Sequence, residues 1–246
     1  MNKPEVSLIA PCLNEQDNVR ELTERFLFAA SVQNVHVEII LIDDGSTDLT
    51  WQRIQELSLQ FPEKVKSIRH LKNKGIPQSW ITGVDASIGE NCCLIDSDLQ
   101  NQPEAVFDLL RSLREDHVQL VRGVRRPVKT NDKSRIFMSR FLNFLLNFFF
   151  AMSSGDNKSG FLLGHREVIQ RIVHHSGHYH HYQTFIGVAA HSNGLITKEI
   201  DTTFENRRSG ISFLSGKTYG VIKELLVDFP EAHREFGSRI KRKRTQ

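Results

Sequence analysis

Three short, nearly continuous apolar runs mark the first half of the chain: Val6-Ser7-Leu8-Ile9-Ala10, Val37-Glu38-Ile39-Ile40-Leu41-Ile42 and Cys92-Cys93-Leu94-Ile95. Apolar runs of this length between polar segments read as strands buried on both faces. With two weaker runs they predict strands near 5–12, 36–43, 65–70, 92–96 and 118–123. Between them, helical patterns fall near 16–31, 47–61, 75–89 and 103–115. Asn14 or Asp17 is placed to cap the first helix and Ser46 or Asp48 the second, while Pro103-Glu104 suits the first turn of the fourth. Alternating strands and helices predict an α/β domain with a mainly parallel central sheet covered on both faces and right-handed crossovers.

The second half is less regular. Residues 134–152 form an apolar, aromatic stretch interrupted by Arg135, Ser139, Arg140, Asn143 and Asn147. Its apolar part, from Phe141 to Met152, is shorter than the roughly 20 residues a bilayer span needs. A core helix and a helix lying at a membrane interface both fit, and Phe at 137, 141, 144, 148, 149 and 150 leans toward the interface. Helices near 165–174 and 182–193 and a strand near 195–204 follow.

The strand ends carry the candidate chemistry. The third apolar run exits into Asp96-Ser97-Asp98, and residues i and i+2 of a strand share a face. On spacing alone, a turn and a converging carboxylate pair fit equally well. The second run exits into Asp43-Asp44-Gly45-Ser46-Thr47-Asp48, and the first into Asn14 and Glu15. Polar exits on three neighbouring strands favour one acidic pocket at the sheet edge where open α/β folds bind ligands. Hard carboxylate oxygens from Asp96 and Asp98 suit Mg²⁺ or Mn²⁺, which also takes diphosphate oxygens.

Composition narrows the setting. The chain has 246 residues, 39% hydrophobic and 25% charged, enough for one full core. Cys12, Cys92 and Cys93 lie in or beside apolar strands and read as reduced core residues. Met1-Asn2-Lys3-Pro4 leads directly into a strand, which predicts no signal peptide. The net charge is +3, but from Arg234 onward six basic residues face Glu235 alone, +5 locally and −2 for the rest. Such a tail fits either a solvated end or an anionic membrane surface, at roughly 1 kcal/mol per basic residue near the lipid. His174, His175, His178, His180 and His181 lack the fixed spacing or Cys partner of a zinc site and predict a polar loop or helix start.

The segments Pro11-Cys12-Leu13-Asn14-Glu15, Asp43-Asp44-Gly45-Ser46-Thr47-Asp48 and Asp96-Ser97-Asp98-Leu99-Gln100 resemble the signatures of family-2 glycosyltransferases, most nearly the dolichyl-phosphate mannosyltransferase-like, polyprenyl-phosphate group. Asp156 to Leu163 is similar to that group's "D…SGF" segment, which introduces a strand near the sugar, and Arg207, Gly210 and Ser212 match its R-x-x-G-x-S motif. The resemblance covers about residues 5–213. It implies a nucleotide-diphospho-sugar transferase fold of GT-A type over 1–213, followed by a C-terminal helix and basic tail over 214–246. It also implies a metal-dependent, inverting glycosyltransferase. On the family pattern, Asp98 with Asp96 holds the metal, Asp43 and Asp44 contact base and ribose, Pro11 and Glu15 line the nucleotide pocket, and Gln100 lies near the metal site. Three positions depart from that pattern: Cys12 replaces an aromatic residue, Phe213 replaces a lysine, and Gly75-Ile76-Pro77-Gln78-Ser79-Trp80 replaces a Gly-, Lys- and Ala-rich segment.

The acceptor follows from chemistry. A hydroxyl acceptor needs a general base, whereas a phosphate monoester, with its second pKa at about 6, arrives ionised and needs cations. The chain lacks the Glu-Asp pair and Gln-x-x-Arg-Trp motif of processive hydroxyl-acceptor members. Arg125, in a segment similar to the family's G-x-R, together with Arg135, Arg140 and Arg207, supplies cations suited to bidentate phosphate binding. For Arg122, Arg126 and Arg208 a surface salt bridge is expected. The favoured activity is therefore transfer of one sugar from a nucleotide diphosphate sugar to a polyprenyl phosphate. The enzyme is expected in the cytoplasm, peripherally bound to the membrane surface, and compatible with a membrane-embedded partner subunit; no nucleic acid is expected. Two rivals remain: a hydroxyl-acceptor transferase, for which Asp156 is the candidate base, and a non-catalytic nucleotide-sugar-binding subunit.

Overall fold

Each apolar run forms a strand in the computed structural model, which describes residues 3–125, 133–154, 159–205, 227–237 and 240. The strands are β1 (Val6–Cys12), β2 (Val37–Asp43), β3 (Val65–Arg69), β4 (Asn91–Leu94), β5 (Leu120–Arg125), β6 (Leu162–His165) and β7 (Thr197–Thr202). They make one sheet in the order β3-β2-β1-β4-β6-β5-β7. All pairings are parallel except those of β6, which runs antiparallel to β4 and β5. The helices are α1 (Val19–Gln33), α2 (Thr50–Gln60), α3 (Ile76–Ala86), α4 (Val106–Glu115), α5 (Lys133–Phe150), α6 (Arg166–Val173) and α7 (Ile186–Ser192), with 3-10 turns before α4 and α7.

The pleat of the central strands divides the core into two layers. Leu8, Ala10, Ile39, Leu41 and Cys93 pack with Leu22, Phe26, Ile54, Leu57, Val106 and Leu110 of α1, α2 and α4. Ile9, Ile40, Ile42, Cys92 and Leu94 face the other way, toward Trp80, Leu146, Phe150, Ile169 and Ile186 of α3, α5, α6 and α7. Successive residues of a strand point to opposite faces, so a continuous apolar run is what a doubly covered strand requires. The three cysteines are free and buried, as expected of core residues, and burial pushes their thiols up.

Several expectations are corrected. β4 ends at Leu94, so Asp96 and Asp98 leave the strand before its alternation can align them. Helix α1 starts at Val19 without a side-chain cap. Asn14 and Ser46 instead bond to each other's loops, as described below. Asp48 does support the start of α2, accepting from the amide (2.9 Å) and hydroxyl (2.5 Å) of Thr50. Arg122 is not a surface ion pair but a buried one. It donates to Glu199 Oε1 (3.3 Å) and Ser154 Oγ (3.1 Å), while Ser154 donates to the same carboxylate (2.5 Å). Asn143 and Asn147 of α5 donate to the Ser154 carbonyl (2.9 and 3.1 Å), which explains two polar residues in an otherwise apolar helix.

The histidine-rich segment is a loop held by two carboxylates of the helical stretch 227–237. Asp228 is fully buried and accepts from the amides of His180 and His181 and from His180 Nδ1 (2.7–3.0 Å). Glu235 accepts from the amides of Ser176 and Gly177 and from the Tyr179 hydroxyl (3.1, 3.2 and 2.7 Å). Phe229 packs its ring against Phe149, Phe150 and Phe185. Helix α5 thus has an inner side, with Leu146 and Phe150 fully buried. Its outer side carries Phe141, Phe144 and Phe148, the last 69% exposed. Among the described residues no helix is long and apolar enough to cross a membrane.

At the edge of the sheet away from the acidic exits, Glu38 of β2 is buried and fully engaged. It accepts from Ser7 Oγ (2.6 Å) and from the amides of Ile88 (2.7 Å) and Gly89 (3.1 Å), and Lys66 Nζ lies 2.8 Å away. Burial by itself would raise its pKa, but Lys66, Ser7 and the Ile88 amide overcome that and hold it below the usual carboxylate range. A depressed carboxyl contributes its stability above the unfolded-state value, near pH 4, and loses it as pH falls through the folded-state value. Glu38→Gln should therefore cost on the order of 2 kcal/mol at neutral pH. In denaturant titrations the difference from wild type should shrink below about pH 4. A gap of the same size on the acid side would show that the charge of Glu38 contributes nothing.

Candidate active site

The last two residues of β1 hold the acidic exits on either side of it. The Pro11 carbonyl accepts the Ser97 hydroxyl from the β4 exit (2.7 Å), and the Cys12 carbonyl accepts the Asp44 amide from the β2 exit (2.8 Å). The sheet order places β1 between β2 and β4, so the segments after all three strands meet at one edge.

The β1 and β2 exits are also stitched to each other. The Asn14 amide donates to Ser46 Oγ (2.9 Å), and Asn14 Oδ1 accepts from the Thr47 amide (2.9 Å). The Glu15 amide donates to Thr50 Oγ1 (2.8 Å), and the Leu49 amide to Gln16 Oε1 (2.9 Å). Asn14 takes a left-handed φ of 56°, which asparagine tolerates better than most residues. Glu15 is buried, with Oε2 accepting from Asn18 Nδ2 (2.5 Å), and Pro11 is half-buried.

The turn after β4 is equally fixed. Leu99 adopts a left-handed φ of 59°, a costly conformation for this residue, and is held there by burial of its side chain in the α1–α4 layer. Asp98, 7% exposed, accepts from the Gln100 amide (3.1 Å), and Asp96 is half-buried beside it. Gln100 reaches across to the end of β7, donating from Nε2 to the Glu205 carbonyl (3.2 Å) while its own carbonyl accepts the Glu205 amide (2.8 Å). Gln102 donates to Glu205 Oε1 (2.8 Å).

Asp43 and Asp44 both face inward. Asp43 accepts from the Ser46 amide and Arg69 Nε, each at 3.1 Å. The Arg69 guanidinium also lies 5.3 Å over the Trp51 ring and stays 43% exposed. Asp44 accepts from His70 Nδ1 (2.7 Å) and the amides of Lys74 (2.9 Å) and Gly75 (2.8 Å). Sequence reasoning missed Arg69 and His70. The available signal was that β3, like its neighbours, ends in polar residues, here basic ones beside an acidic exit.

On the far side of the sheet, the Ser-Gly-Phe segment is pinned to β5. Ser159 donates to the Gly123 carbonyl (2.6 Å), and the Gly123 amide donates to the Phe161 carbonyl (2.9 Å). A Cβ on Gly123 would come within 2.4 Å of the Phe161 ring, so only glycine lets that ring lie against the strand. Arg125 ends β5 opposite Thr202, and Arg135 stands in the first turn of α5; their side chains lie outside the description. Asp156, Arg207 and Ser212 lie outside the described residues, as do Arg126, Arg208 and 241–246 of the basic tail. Among the described residues no group of three or more His, Cys, Asp or Glu is arranged to hold a metal ion by itself.

Residues 7–175 match the family model of glycosyl transferase family 2. A dolichol-phosphate mannosyltransferase from Pyrococcus furiosus is 38% identical over 109 residues, covering 44% of this chain and 30% of that protein. An undecaprenyl-phosphate 4-deoxy-4-formamido-L-arabinose transferase from Edwardsiella ictaluri is 28% identical over 218 residues, 89% of this chain and 64% of that protein. The chain spans less than two thirds of the length of either relative. Among solved structures, a mannosyltransferase from Pyrobaculum calidifontis in complex with GDP-Man and Mn²⁺ superposes with a TM-score of 0.66 at 16% identity, over 96% of this chain and 66% of that one. Glucosyl-3-phosphoglycerate synthase from Mycobacterium tuberculosis, in complex with Mn²⁺, UDP and glucosyl-3-phosphoglycerate, superposes with a TM-score of 0.62 at 19% identity, over 91% and 79%. These superpositions bear out the expected GT-A type fold. With its sheet order, its acidic strand exits and a family match over most of its length, the chain belongs to glycosyl transferase family 2.

Proposed function

We propose that this chain transfers one sugar from a nucleotide diphosphate sugar to a polyprenyl phosphate at a membrane face. The observation that carries the reading is the pair of acidic exits attached to the Pro11 and Cys12 carbonyls, which brings Asp98 and the Asp43–Asp44 turn to one sheet edge. The names of the Pyrococcus and Edwardsiella relatives support a polyprenyl-phosphate acceptor.

Asp96 and Asp98 offer hard oxygens on a turn that buried Leu99 keeps in place, a donor set that suits Mg²⁺ or Mn²⁺. When bound, the ion supplies neutralisation of the charge that builds on the leaving diphosphate. Asp43 fixes Arg69, whose exposed guanidinium edge faces the nucleotide, and Pro11 and Glu15 form the wall beside it. Arg125, Arg135 and Arg207, with Ser212, hold the acceptor phosphate. A phosphate oxygen attacks the anomeric carbon from the face opposite the diphosphate. The new carbon–oxygen bond forms as the bond to the diphosphate breaks, with inversion. No proton need be removed, because the acceptor arrives ionised. The exposed Phe face of α5 meets the lipid, and Lys241 to Arg244 add attraction to anionic headgroups; two weak signals together give stable attachment.

Asp98→Asn should keep the melting temperature and cooperative unfolding of wild type while abolishing turnover; turnover that survives both the substitution and a chelator would exclude the metal role. Offered a polyprenyl phosphate and the matching polyprenol with the same donor, the enzyme should transfer to the phosphate. Arg207→Ala should raise the acceptor requirement roughly ten- to hundredfold with donor binding little changed. Faster transfer to the alcohol would favour the hydroxyl-acceptor reading. Replacing both Phe144 and Phe148 by Asp, or deleting Lys241 to Arg244, should weaken cosedimentation with anionic liposomes, and added salt should mimic only the deletion. Equal binding by all three proteins would remove the membrane role of both features.

A further inference from the structure

The β3 exit ends on His70, which joins the β2 exit to α3. Its side chain is buried, 4% exposed, between the β2 exit and α3. Nδ1 lies 2.7 Å from Asp44 Oδ1, and Nε2 lies 3.0 Å from Thr82 Oγ1. A carboxylate only accepts, so Nδ1 carries the proton, and Nε2 pairs with the Thr82 hydroxyl. The same Asp44 carboxylate accepts the amides of Lys74 and Gly75. Gly45, at φ +78°, lets the β2 turn approach this loop so closely that a Cβ there would lie 2.7 Å from the Asn73 nitrogen. Residues 71–74 are otherwise exposed, Leu71 at 96%, and the segment continues through Gly75 at φ +87° into α3. The loop stands beside the acidic exits and carries Lys72 and Lys74, and its interior anchor is Asp44.

We infer that His70 is a positioning residue of the nucleotide site: by donating from Nδ1 to Asp44 it orients that carboxylate toward the Lys74 and Gly75 amides, and so sets the 71–75 loop as the rim against which the donor's nucleoside diphosphate binds. Asp44 then acts as the anchor of this rim and not as a direct ligand of base or ribose. The binding half of the inference rests on the glycosyltransferase reading of this sheet edge; the loop half does not.

The experiment separates the two halves. Hydrogen exchange of the ligand-free protein is followed at Lys74 and Gly75 in wild type, His70→Ala, His70→Asn and Thr82→Val. UDP and GDP, each with Mn²⁺, are then titrated calorimetrically into all four. His70→Ala should speed exchange at the two amides about tenfold or more, with exchange in β1 and β2 unchanged, and should weaken nucleotide binding by a comparable factor. His70→Asn restores an N–H donor to Asp44 and should recover most of both. Thr82→Val keeps volume and removes only the hydroxyl on Nε2, so it should shift both readouts in the same direction by less, and it decides the matter should His70→Ala not fold. Unchanged exchange at Lys74 and Gly75 in the variants would overturn the loop role. Loosened amides with undiminished nucleotide binding would overturn the link to the site. Failure of wild type to bind either nucleotide while exchange responds as expected would count against the donor reading and its binding half and leave the loop role standing.

Discussion

Everything at the candidate site depends on where β1 stops. Its last two residues are the final ones paired with β2, and their carbonyls take the segments leaving β2 and β4, the Asp44 amide on one side and the Ser97 hydroxyl on the other. A buried carbonyl must find a donor, so these bonds are required of the backbone whatever else the loops do. They set the height at which both acidic turns leave the sheet. The surrounding bonds, from Asn14 to Ser46 and from Glu15 to Thr50, then fix the turns relative to each other without any ligand. A site that binds a diphosphate benefits from such preorganisation, because charge can build on the leaving group without the loops first having to move.

Buried charge is distributed with the same economy at other points of the sheet. Ion pairs withdrawn from water are stable only when their remaining hydrogen-bonding capacity is met. Glu38 meets that condition with Ser7, Lys66 and two amides. Arg122 bonds Glu199 and Ser154 through one guanidinium nitrogen, and Ser154 braces the same carboxylate. Asp43 and Asp44 meet the condition with β3 and its loop, each carboxylate beside a basic residue of the neighbouring exit. The first two networks hold loops and helix ends against the sheet. The third does the same at the candidate site, where the element held is the exposed loop after β3.

The second half of the chain completes the sheet with less regular means. β6 runs antiparallel between β4 and β5, and the Ser-Gly-Phe segment that precedes it is tied to β5 through Ser159 and Gly123. The histidine loop is bonded to Asp228 and Glu235 of the C-terminal helical stretch. That stretch also covers the inner side of α5 through Phe229. Helix α5 therefore has its buried side satisfied by the protein, while Phe144 and Phe148 stay exposed on its outer side.

The sequence by itself determined the α/β class, the order of strands and helices, the doubly covered central strands and the acidic character of three strand exits, because period and run length are set by whether one face or both are buried. It also marked Asp43, Asp44, Asp96 and Asp98 as a group. It did not determine where the strands end, and so it aligned Asp96 and Asp98 by a strand geometry that stops at Leu94. Nor could it tell that Asn14 and Ser46 join loops instead of capping helices, that Arg122 is buried, or that Arg69 and His70 engage the acidic pair. Each of these pairings depends on a partner 26 or more positions away in the chain, brought close only when β1, β2 and β3, or β5 and β7, lie side by side. Polar side chains carry no periodic record of such partners, and only the assembled sheet decides which donor meets which carboxylate.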